Sequence, residues 1–140
     1  MPAFGLDIAH PASVRTYRVT VATGQQSVEN LDSNVHINIF GSMGDTGIRS
    51  LRKKGAFSRG KVDEFLIEAV SLGRLEKIRI GHSGKTVTPT WFLDRVTVEE
   101  VGNSANKVVF EVHNWLATRG LDGVCEEELY PTQWTESEFV

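Results

Sequence analysis

A run of basic side chains in the first half of the chain is the strongest charge feature of the sequence. Six arginines and lysines lie within a stretch of 13 residues: Arg49, Arg52, Lys53, Lys54, Arg59 and Lys61. Each such residue contributes roughly 1 kcal/mol when it lies close to an anionic lipid surface. Together they predict weak recruitment to an anionic membrane. An acidic partner protein would use the same residues, and a solvated loop face without a function is the alternative.

Residue types suited to catalysis or metal binding are scattered along the chain. His36, His82 and His113 fall on three separate predicted strands, and Cys125 is the only cysteine. A zinc centre needs its histidine and cysteine ligands to converge at one place. No nucleophile, base and acid stand at a spacing that predicts an active site. We therefore expect no enzyme and no cofactor, with His82 and Arg95 making local hydrogen bonds instead.

Three glycines within seven residues mark residues 41–47 as a tight turn. Glycine-rich loops also cradle phosphate groups, because their backbone N–H groups converge on an anion. A nucleotide-binding loop, however, is followed by a Lys-Ser or Lys-Thr pair that opens a helix, and neither follows here. The segment predicts a structural turn that closes a hairpin into residues 48–51.

Alternation of apolar and polar residues predicts about eight short strands and no helix of ten residues. The predicted strands cover residues 16–22, 34–40, 48–51, 62–69, 76–82, 91–101, 107–113 and 125–130. The positions predicted to face inward are Tyr17, Val19, Val21, Val35, Ile37, Ile39, Phe65, Ile67, Ile78 and Ile80. This pattern is typical of an all-β sandwich or barrel.

Residues 91–98 form the most β-prone stretch, and we predict that they are the central strand. Both alternating sets in this stretch are mainly apolar with one charge each, which predicts burial on most of both faces. Trp91 follows Pro89 at the start of the strand, so it is either a core residue or an exposed anchor at a loop tip. Trp115 precedes Leu116 at the end of another strand, which favours burial.

Length and composition limit the classes of function. With 140 residues, the chain is predicted to form one domain, and its net charge of −3 and pI of 5.8 exclude a general nucleic-acid binder. It has no 18-residue apolar run, and residues 1–5 lack the features of a signal peptide. With one cysteine, these features predict a cytoplasmic domain, peripheral at a membrane if it binds one. Residues 1–14 are predicted to be an arm, 15–131 the domain and 132–140 a tail.

Several blocks of sequence, in the expected order, resemble the PLAT domain, which is also called the LH2 or lipoxygenase-homology domain. The blocks are residues 17–24, 32–41, 44–47, 63–65, 72–82, 91–98, 110–116 and 128–129. The resemblance implies an antiparallel sandwich of two four-stranded sheets. It also implies a non-catalytic module for attachment to membrane, lipid or protein, of the kind found in lipoxygenases, lipases, polycystins and tandem lipoxygenase-homology proteins.

The same resemblance raises the question of calcium, which many members of the family bind at loop tips. Calcium requires six to eight oxygen ligands, several of them carboxylates. Here Gln25 stands in place of the first aspartate of the family's usual loop, and Ser83 stands in place of another. Glu29, Asp32 and Asn34 remain as the ligands of a weak calcium site. A solvated acidic loop is the alternative that we favour.

Overall fold

The computed structural model describes residues 13–27, 34–83, 91–116 and 124–134. In this part of the chain all of the regular structure is β-strand. The ten strands are β1 (Val14–Thr23), β2 (Asn34–Gly41), β3 (Gly44–Asp45), β4 (Arg49–Leu51), β5 (Val62–Val70), β6 (Leu75–Ser83), β7 (Trp91–Glu100), β8 (Asn103–Leu116), β9 (Val124–Leu129) and β10 (Gln133–Trp134).

The strands form two antiparallel sheets. Sheet A has the order β9-β6-β2, with β3 and β4 both pairing with the outer side of β2, and sheet B has the order β10-β8-β7-β1-β5. The all-β fold predicted from the alternation is therefore confirmed, and β7 is the central strand of sheet B as predicted.

The core lies between the two sheets and is built from the inward-facing residues of each strand. Tyr17, Val19, Val21, Ile37 and Ile80 are all completely buried. The other residues predicted to face inward, which are Val35, Ile39, Phe65, Ile67 and Ile78, also belong to the core. Their alternation with exposed residues keeps one face of each sheet out of water, which is the main driving force for the fold.

Among the described residues each sheet contains five strands, because short segments add to the edges of the predicted four. In sheet A, β3 and β4 pair with successive parts of β2, at Phe40–Gly41 and at Val35–Ile37, so they are one edge strand with an interruption. In sheet B, the two-residue strand β10 adds to β8 opposite Val108 and Val109. The two-residue strands β3 and β10 carry too few alternating residues to be read from sequence, whereas β4 was predicted at residues 48–51.

The prediction that β7 is buried on both faces is wrong, and a β-bulge explains the misleading pattern. Thr23 of β1 pairs with Leu93 and Ala22 pairs with Arg95, so Asp94 is one extra residue in the register. Trp91 and Leu93 before Asp94 and two valines after it therefore face the same core. A bulge shifts the alternation by one residue, which makes both sets look apolar in the sequence.

The structure buries Trp91, which is one of the two positions left open for it, and it contradicts the burial favoured for Trp115. Trp91 is completely buried, while Trp115 is only partly buried. The reason is the register of β7 with β8, which pairs Trp91 with Leu116 and Phe92 with Trp115. Leu116 points into the core, so Trp115, as its neighbour in the strand, lies on the outer face, where its ring packs edge-to-face against Phe92.

The glycine-rich segment forms the predicted hairpin. Gly41 pairs with Gly44 across a two-residue turn, and Gly44 and Gly47 have φ values of 152° and 76°. The side chain of Thr46 accepts a hydrogen bond from the N–H of Ile39 (3.0 Å), and the carboxylate of Asp45 accepts one from the N–H of Gly47 (3.0 Å). A backbone donor that a phosphate would need is therefore already used within the turn.

Strand direction divides the connections between two ends of the sandwich. At one end, here called the basic end, β1, β4, β6 and β8 finish and β2, β5, β7 and β9 begin. Residues 24–27 and 52–61 lie there. At the other end, the far end, lie residues 42–43, 71–74 and 101–102.

The far end is held by hydrogen bonds between its own connections. The side chain of Asn106, which is 9% exposed, accepts from the N–H of Leu75 (3.1 Å) and donates to the carbonyl of Gly73 (2.8 Å) and the carboxylate of Glu100 (2.9 Å). The hydroxyl of Tyr17 accepts from the N–H of Leu72 (2.9 Å). Two side chains from sheet B thus fix the crossover that leads into sheet A.

Candidate functional site

The basic residues lie on and beside the connection that crosses from sheet A to sheet B at the basic end. This connection, residues 52–61, joins β4 to β5 and is here called the basic segment. Between Thr46 and Val62 the chain has six basic residues and no acidic residue. Positive charge is therefore concentrated locally in a chain whose net charge is negative.

Phe57 anchors the basic segment in the core. Its ring is 5% exposed and stacks on Phe65 at 5.6 Å, with the edge of Trp91 at 5.3 Å. Its backbone has a φ of 64°, a conformation that few residues other than glycine adopt. Its N–H donates to Oδ2 of Asp63 at 2.8 Å. Packing of the aromatic ring and this hydrogen bond together stabilise the unusual backbone.

Asp63 is a completely buried carboxylate that contacts two residues of the basic segment. While its Oδ2 accepts from Phe57, its Oδ1 lies 3.6 Å from Nζ of Lys61. That ammonium also donates to the carbonyl of Gly55 at 3.0 Å. Lys61 therefore serves mainly inside the segment, because it offsets the buried charge of Asp63.

The six basic residues consequently differ in their availability to a ligand. Arg52, Lys53 and Lys54 are exposed, with Lys53 Nζ lying 6.0 Å from the centre of the Phe65 ring. Arg49 is partly buried and donates to the carbonyls of Thr46 (3.1 Å) and Glu68 (3.0 Å). The structure thus concentrates the available charge on three consecutive residues.

Arg59 is exposed next to Gly60, where the basic segment docks against the turn formed by residues 24–27. The N–H of Thr23 donates to the carbonyl of Lys61 (2.9 Å), and Gly60 donates to Gly24 (3.4 Å). A Cβ on Gly60 would lie 2.4 Å from the side-chain nitrogen of Gln25, and its φ is 73°. Gln25, in the position of a family aspartate, therefore packs against the basic segment.

Of the residues predicted to form a calcium site, Glu29 and Asp32 lie outside the described residues. Asn34 is exposed at the first position of β2. Within residues 13–27, 34–83, 91–116 and 124–134, no three histidine, cysteine or acidic side chains come together in a way that suits a metal ion.

Trp91, the apolar anchor predicted for a loop tip, cannot insert into a membrane. Its indole lies in the core between Phe57 and His82, and its Nε1 donates to the hydroxyl of Thr23 at 3.1 Å. The strand that it begins is covered by the basic segment, which the sequence alone does not reveal. The prediction of Trp91 as a binding residue is therefore wrong, since it supports the site from inside instead.

The three histidines among the described residues lie at separate places, as their strands predicted. His82 is buried and donates from Nε2 to the carbonyl of Leu116, and burial lowers its pKa below the usual 6.5. His36 reaches Glu126 at 3.2 Å across the missing side chain of Gly81. His113 pairs with Glu111 at 2.9 Å, beside the Arg95–Glu111 ion pair of 3.2 Å. The predicted local hydrogen bonds of His82 and Arg95 are confirmed.

A second charged cluster lies on the outer face of sheet A, and the sequence did not predict it. Glu128 accepts hydrogen bonds from Tyr130, Arg79 (3.0 Å) and Lys77, which hold the pKa of Glu128 at about 2. Nζ of Lys77 lies 5.1 Å from the centre of the Phe40 ring. The alternation of β6 predicted that Lys77 and Arg79 face outward, but only the register with β9 brings Glu128 to them.

Comparison with known proteins decides the family. The sequence profile of the PLAT/LH2 domain matches residues 17–129. The chain belongs to the PLAT/LH2 domain family. PLAT/LH2 domains are non-catalytic modules in lipoxygenases and polycystins.

Similar proteins include much longer chains. Lipoxygenase homology domain-containing protein 1 of Mus musculus is 36% identical over 137 residues, which cover 94% of this chain and 7% of that protein. Polycystin-1 of Homo sapiens is 34% identical over 116 residues, which cover 81% of this chain and 3% of that protein. This PLAT/LH2 chain thus corresponds to a small part of the relatives that it matches.

Solved structures confirm the fold. The crystal structure of coral 8R-lipoxygenase matches with a TM-score of 0.69 and 23% identity, over 83% of this chain and 17% of that chain. In that enzyme calcium activates through a C2-like domain. Within the described part of our PLAT/LH2 chain, no helix has the length and apolarity needed to cross a bilayer.

Proposed function

We propose that this PLAT/LH2 chain is an attachment module that binds anionic lipid surfaces through its basic segment. The observation that carries the proposal is the exposure of Arg52, Lys53 and Lys54 on a connection whose backbone is fixed by Phe57 and Asp63. A surface with several cations close to an anionic leaflet gains roughly 1 kcal/mol for each of them. The module would be peripheral, without insertion of Trp91.

The fixed backbone matters because a charge that is already positioned loses less conformational entropy on binding. Phe57 is packed between two rings of the core, so the backbone that follows the exposed residues is held in place. Binding therefore depends mainly on charge, and it falls as salt shortens the Debye length from about 30 Å at 0.01 M to about 8 Å at 0.15 M.

The test is sedimentation with vesicles of phosphatidylcholine alone or with added phosphatidylserine. We expect salt-sensitive binding only to the anionic vesicles. Replacing Lys53→Glu and Lys54→Glu together should lower that binding well over tenfold, on the estimate of about 1 kcal/mol per basic residue. Both side chains are exposed, so the melting temperature should stay close to that of the wild type.

A matched control is the double reversal Arg74→Glu and Lys107→Glu, which changes the net charge equally. These two exposed residues lie towards the far end of the sandwich. The control should retain most of the binding. If both double variants lose binding equally, or if the wild-type protein ignores anionic vesicles, the proposed lipid function is wrong.

Calcium is not part of this proposal, although calcium acts on the C2-like domain of the coral lipoxygenase. Gln25 and Ser83 supply no carboxylate at two positions where the family often has one. Gln25 instead packs against Gly60 of the basic segment. Attachment by positive charge needs no metal, so we expect vesicle binding to survive addition of a chelator.

The second candidate function is a protein-binding module. An acidic partner would use the same basic segment, and the edge of sheet B at β5, which no described strand covers, is a further surface for a partner. Binding to a protein that persists while anionic vesicles are ignored would favour this candidate.

A further inference from the structure

Among the described residues, β5 is the last strand of sheet B, and its pairing shows which of its backbone groups face away from β1. The N–H of Thr23 bonds to the carbonyl of Lys61 (2.9 Å), and the N–H of Ser71 bonds to the carbonyl of Ser13 (2.8 Å). These bonds extend the β1–β5 pairing, one at each end. In each bond the residue on the β5 side is odd-numbered. Hydrogen-bonded and non-bonded pairs alternate in an antiparallel ladder. The even-numbered residues of β5 therefore direct their N–H and C=O groups away from β1.

The same even-numbered residues carry an alternating outer face. Val62, Leu66 and Val70 are 62%, 64% and 53% exposed, and Glu64 and Glu68 between them are exposed too. Exposed edge strands with apolar side chains act as templates for an added strand. A groove of about 690 Å³, lined by residues such as Thr16, Leu66 and Glu68, lies along this edge.

One of these outward groups already has a substitute partner. Nη1 of Arg49 donates to the carbonyl of Glu68 at 3.0 Å, from the neighbouring edge strand of sheet A. The arginine thus supplies the donor that the N–H of an added strand would supply. It also shows that this carbonyl points away from β1, as the alternation requires.

We propose that the edge of β5 binds an extended peptide segment in which basic and apolar residues alternate, by adding it as a sixth strand to sheet B. Charge selects this occupant: lysine or arginine would lie opposite Glu68 and opposite Glu64, whose side chain is 59% exposed although its Oε2 lies 3.6 Å from Nε of Arg18. An apolar residue would lie opposite Leu66. Opposite charges facing each other across a ladder stabilise it, and like charges destabilise it.

A second copy of this chain fits the edge less well. Strand β5 contains three carboxylates and no basic residue, so no register between two copies places a cation opposite Glu64 or Glu68. An antiparallel pair centred on Leu66 would place Glu64 opposite Glu68 twice. Charge complementarity therefore favours a different, basic segment as the partner.

The probe is a synthetic peptide, acetyl-Lys-Thr-Val-Thr-Lys-Thr-Val-amide, titrated into the 140-residue protein at 150 mM salt. In an antiparallel alignment its lysines and valines form the hydrogen-bonded pairs with the even-numbered residues of β5. N-methylation of the lysines and valines should lower affinity about tenfold or more, because several hydrogen bonds are lost. N-methylation of the threonines is the matched control and should change affinity little.

Variants of the protein test the edge itself. Leu66→Pro removes an outward N–H, which an edge strand tolerates, and should abolish binding while the protein stays folded. Glu68→Lys should lower affinity for the peptide about fivefold and raise affinity for an analogue with glutamates in place of the lysines. Arg49→Ala should strengthen binding of the basic peptide, because it frees the carbonyl of Glu68 and also removes a nearby cation.

The proposal is supported if amide exchange at Glu64, Leu66 and Glu68 slows on binding. The affinities of the variants and of the N-methylated peptides should also change as stated above. Absence of binding at millimolar peptide would overturn the proposal. So would binding that Leu66→Pro or N-methylation leaves intact. A protein dimer that Leu66→Pro disrupts would identify a second copy as the occupant and reject the basic peptide.

Discussion

The two ends of the sandwich use their side chains in different ways. At the far end, Asn106 and Tyr17 bond to backbone groups of the crossover before β6, so polar side chains are used up in holding connections together. At the basic end, Phe57, Asp63 and Lys61 hold one segment from beneath. Three consecutive cations, residues 52–54, are left exposed above them.

Under the proposed function, stability and attachment depend on different residues. A change at the far end should lower the free energy of unfolding without altering binding. A change at the exposed cations should do the reverse. Four predictions test or refine this separation, in decreasing order of expected effect.

Val96→Asp should unfold both ends together. Val96 is completely buried in the central strand of sheet B. An unpaired buried carboxylate costs several kcal/mol, against a total stability of roughly 5–15 kcal/mol. Circular dichroism should show loss of the thermal transition. Val101→Asp, at a position that is 40% exposed in the turn after β7, is the control and should melt almost as the wild type does. A stable Val96→Asp protein would contradict the arrangement of sheet B.

Asn106→Ala should weaken the far end alone. It leaves the buried N–H of Leu75 without its acceptor and removes two donated hydrogen bonds, at a cost of about 1–3 kcal/mol. The melting temperature should fall by several degrees, while affinity for anionic vesicles per folded molecule stays the same. Asn103→Ala, at an exposed position, is the control with little expected effect. Equal loss of stability and of binding would show that the two ends are coupled.

Acid should weaken the basic end through His82. The pKa of His82 is lowered by burial, so below its usual pKa of 6.5 the unfolded chain binds a proton that the native protein does not. Stability is therefore complete above pH 6.5 and decreases as the pH falls, by at most about 1.4 kcal/mol per pH unit for one proton. Thermal melts from pH 7.5 to 5 should show this decrease, and His82→Gln should remove its share of it.

The location of the acid effect can be checked by amide exchange. Because His82 contacts Trp91 and Leu116, their amides should lose protection before those near Asn106 do. Loss of protection first at the far end would mean that another group controls the response.

Calcium should have the smallest effect. A site with a dissociation constant of about 10 μM would add roughly 2.7 kcal/mol at 1 mM calcium. Because Gln25 and Ser83 supply no carboxylate, we expect 1 mM calcium to raise the melting temperature little or not at all. A rise of several degrees that Asp32→Asn abolishes would show that the remaining oxygen ligands are sufficient.

The sequence predicted those parts of the fold that depend on simple alternation. Tyr17, Val19 and Val21 are inward because β1 is regular, and the register then follows from pairing with β5. The sequence left Trp91 open between the core and a loop tip, because its contact with Phe57 comes from a segment 34 residues earlier. No alternating pattern records a contact of that kind, since it is made by a connection rather than by a strand.

The candidate site was predictable only as a set of charges. The sequence showed six basic residues, but not that Lys61 compensates Asp63 or that Arg49 caps the carbonyl of Glu68. The Arg49 contact depends on how β4 and β5 approach each other between the sheets, and the Lys61 contact matters because tertiary packing buries Asp63. Local sequence reports the charge of a residue, whereas tertiary packing decides whether that charge is available.

The extra residue at Asp94 has a consequence for how this domain tolerates change in length. Counting back from Val96 by strict alternation would bury Asp94 and Phe92 and expel Trp91 and Leu93. The bulge accommodates one extra residue, so the residues before it keep their inward-facing and outward-facing positions. Insertions or deletions of a single residue, which elsewhere in a strand exchange core for surface, can therefore be absorbed at this point. The basic end can change in length during evolution while the phase of the central strand beyond Arg95 remains the same.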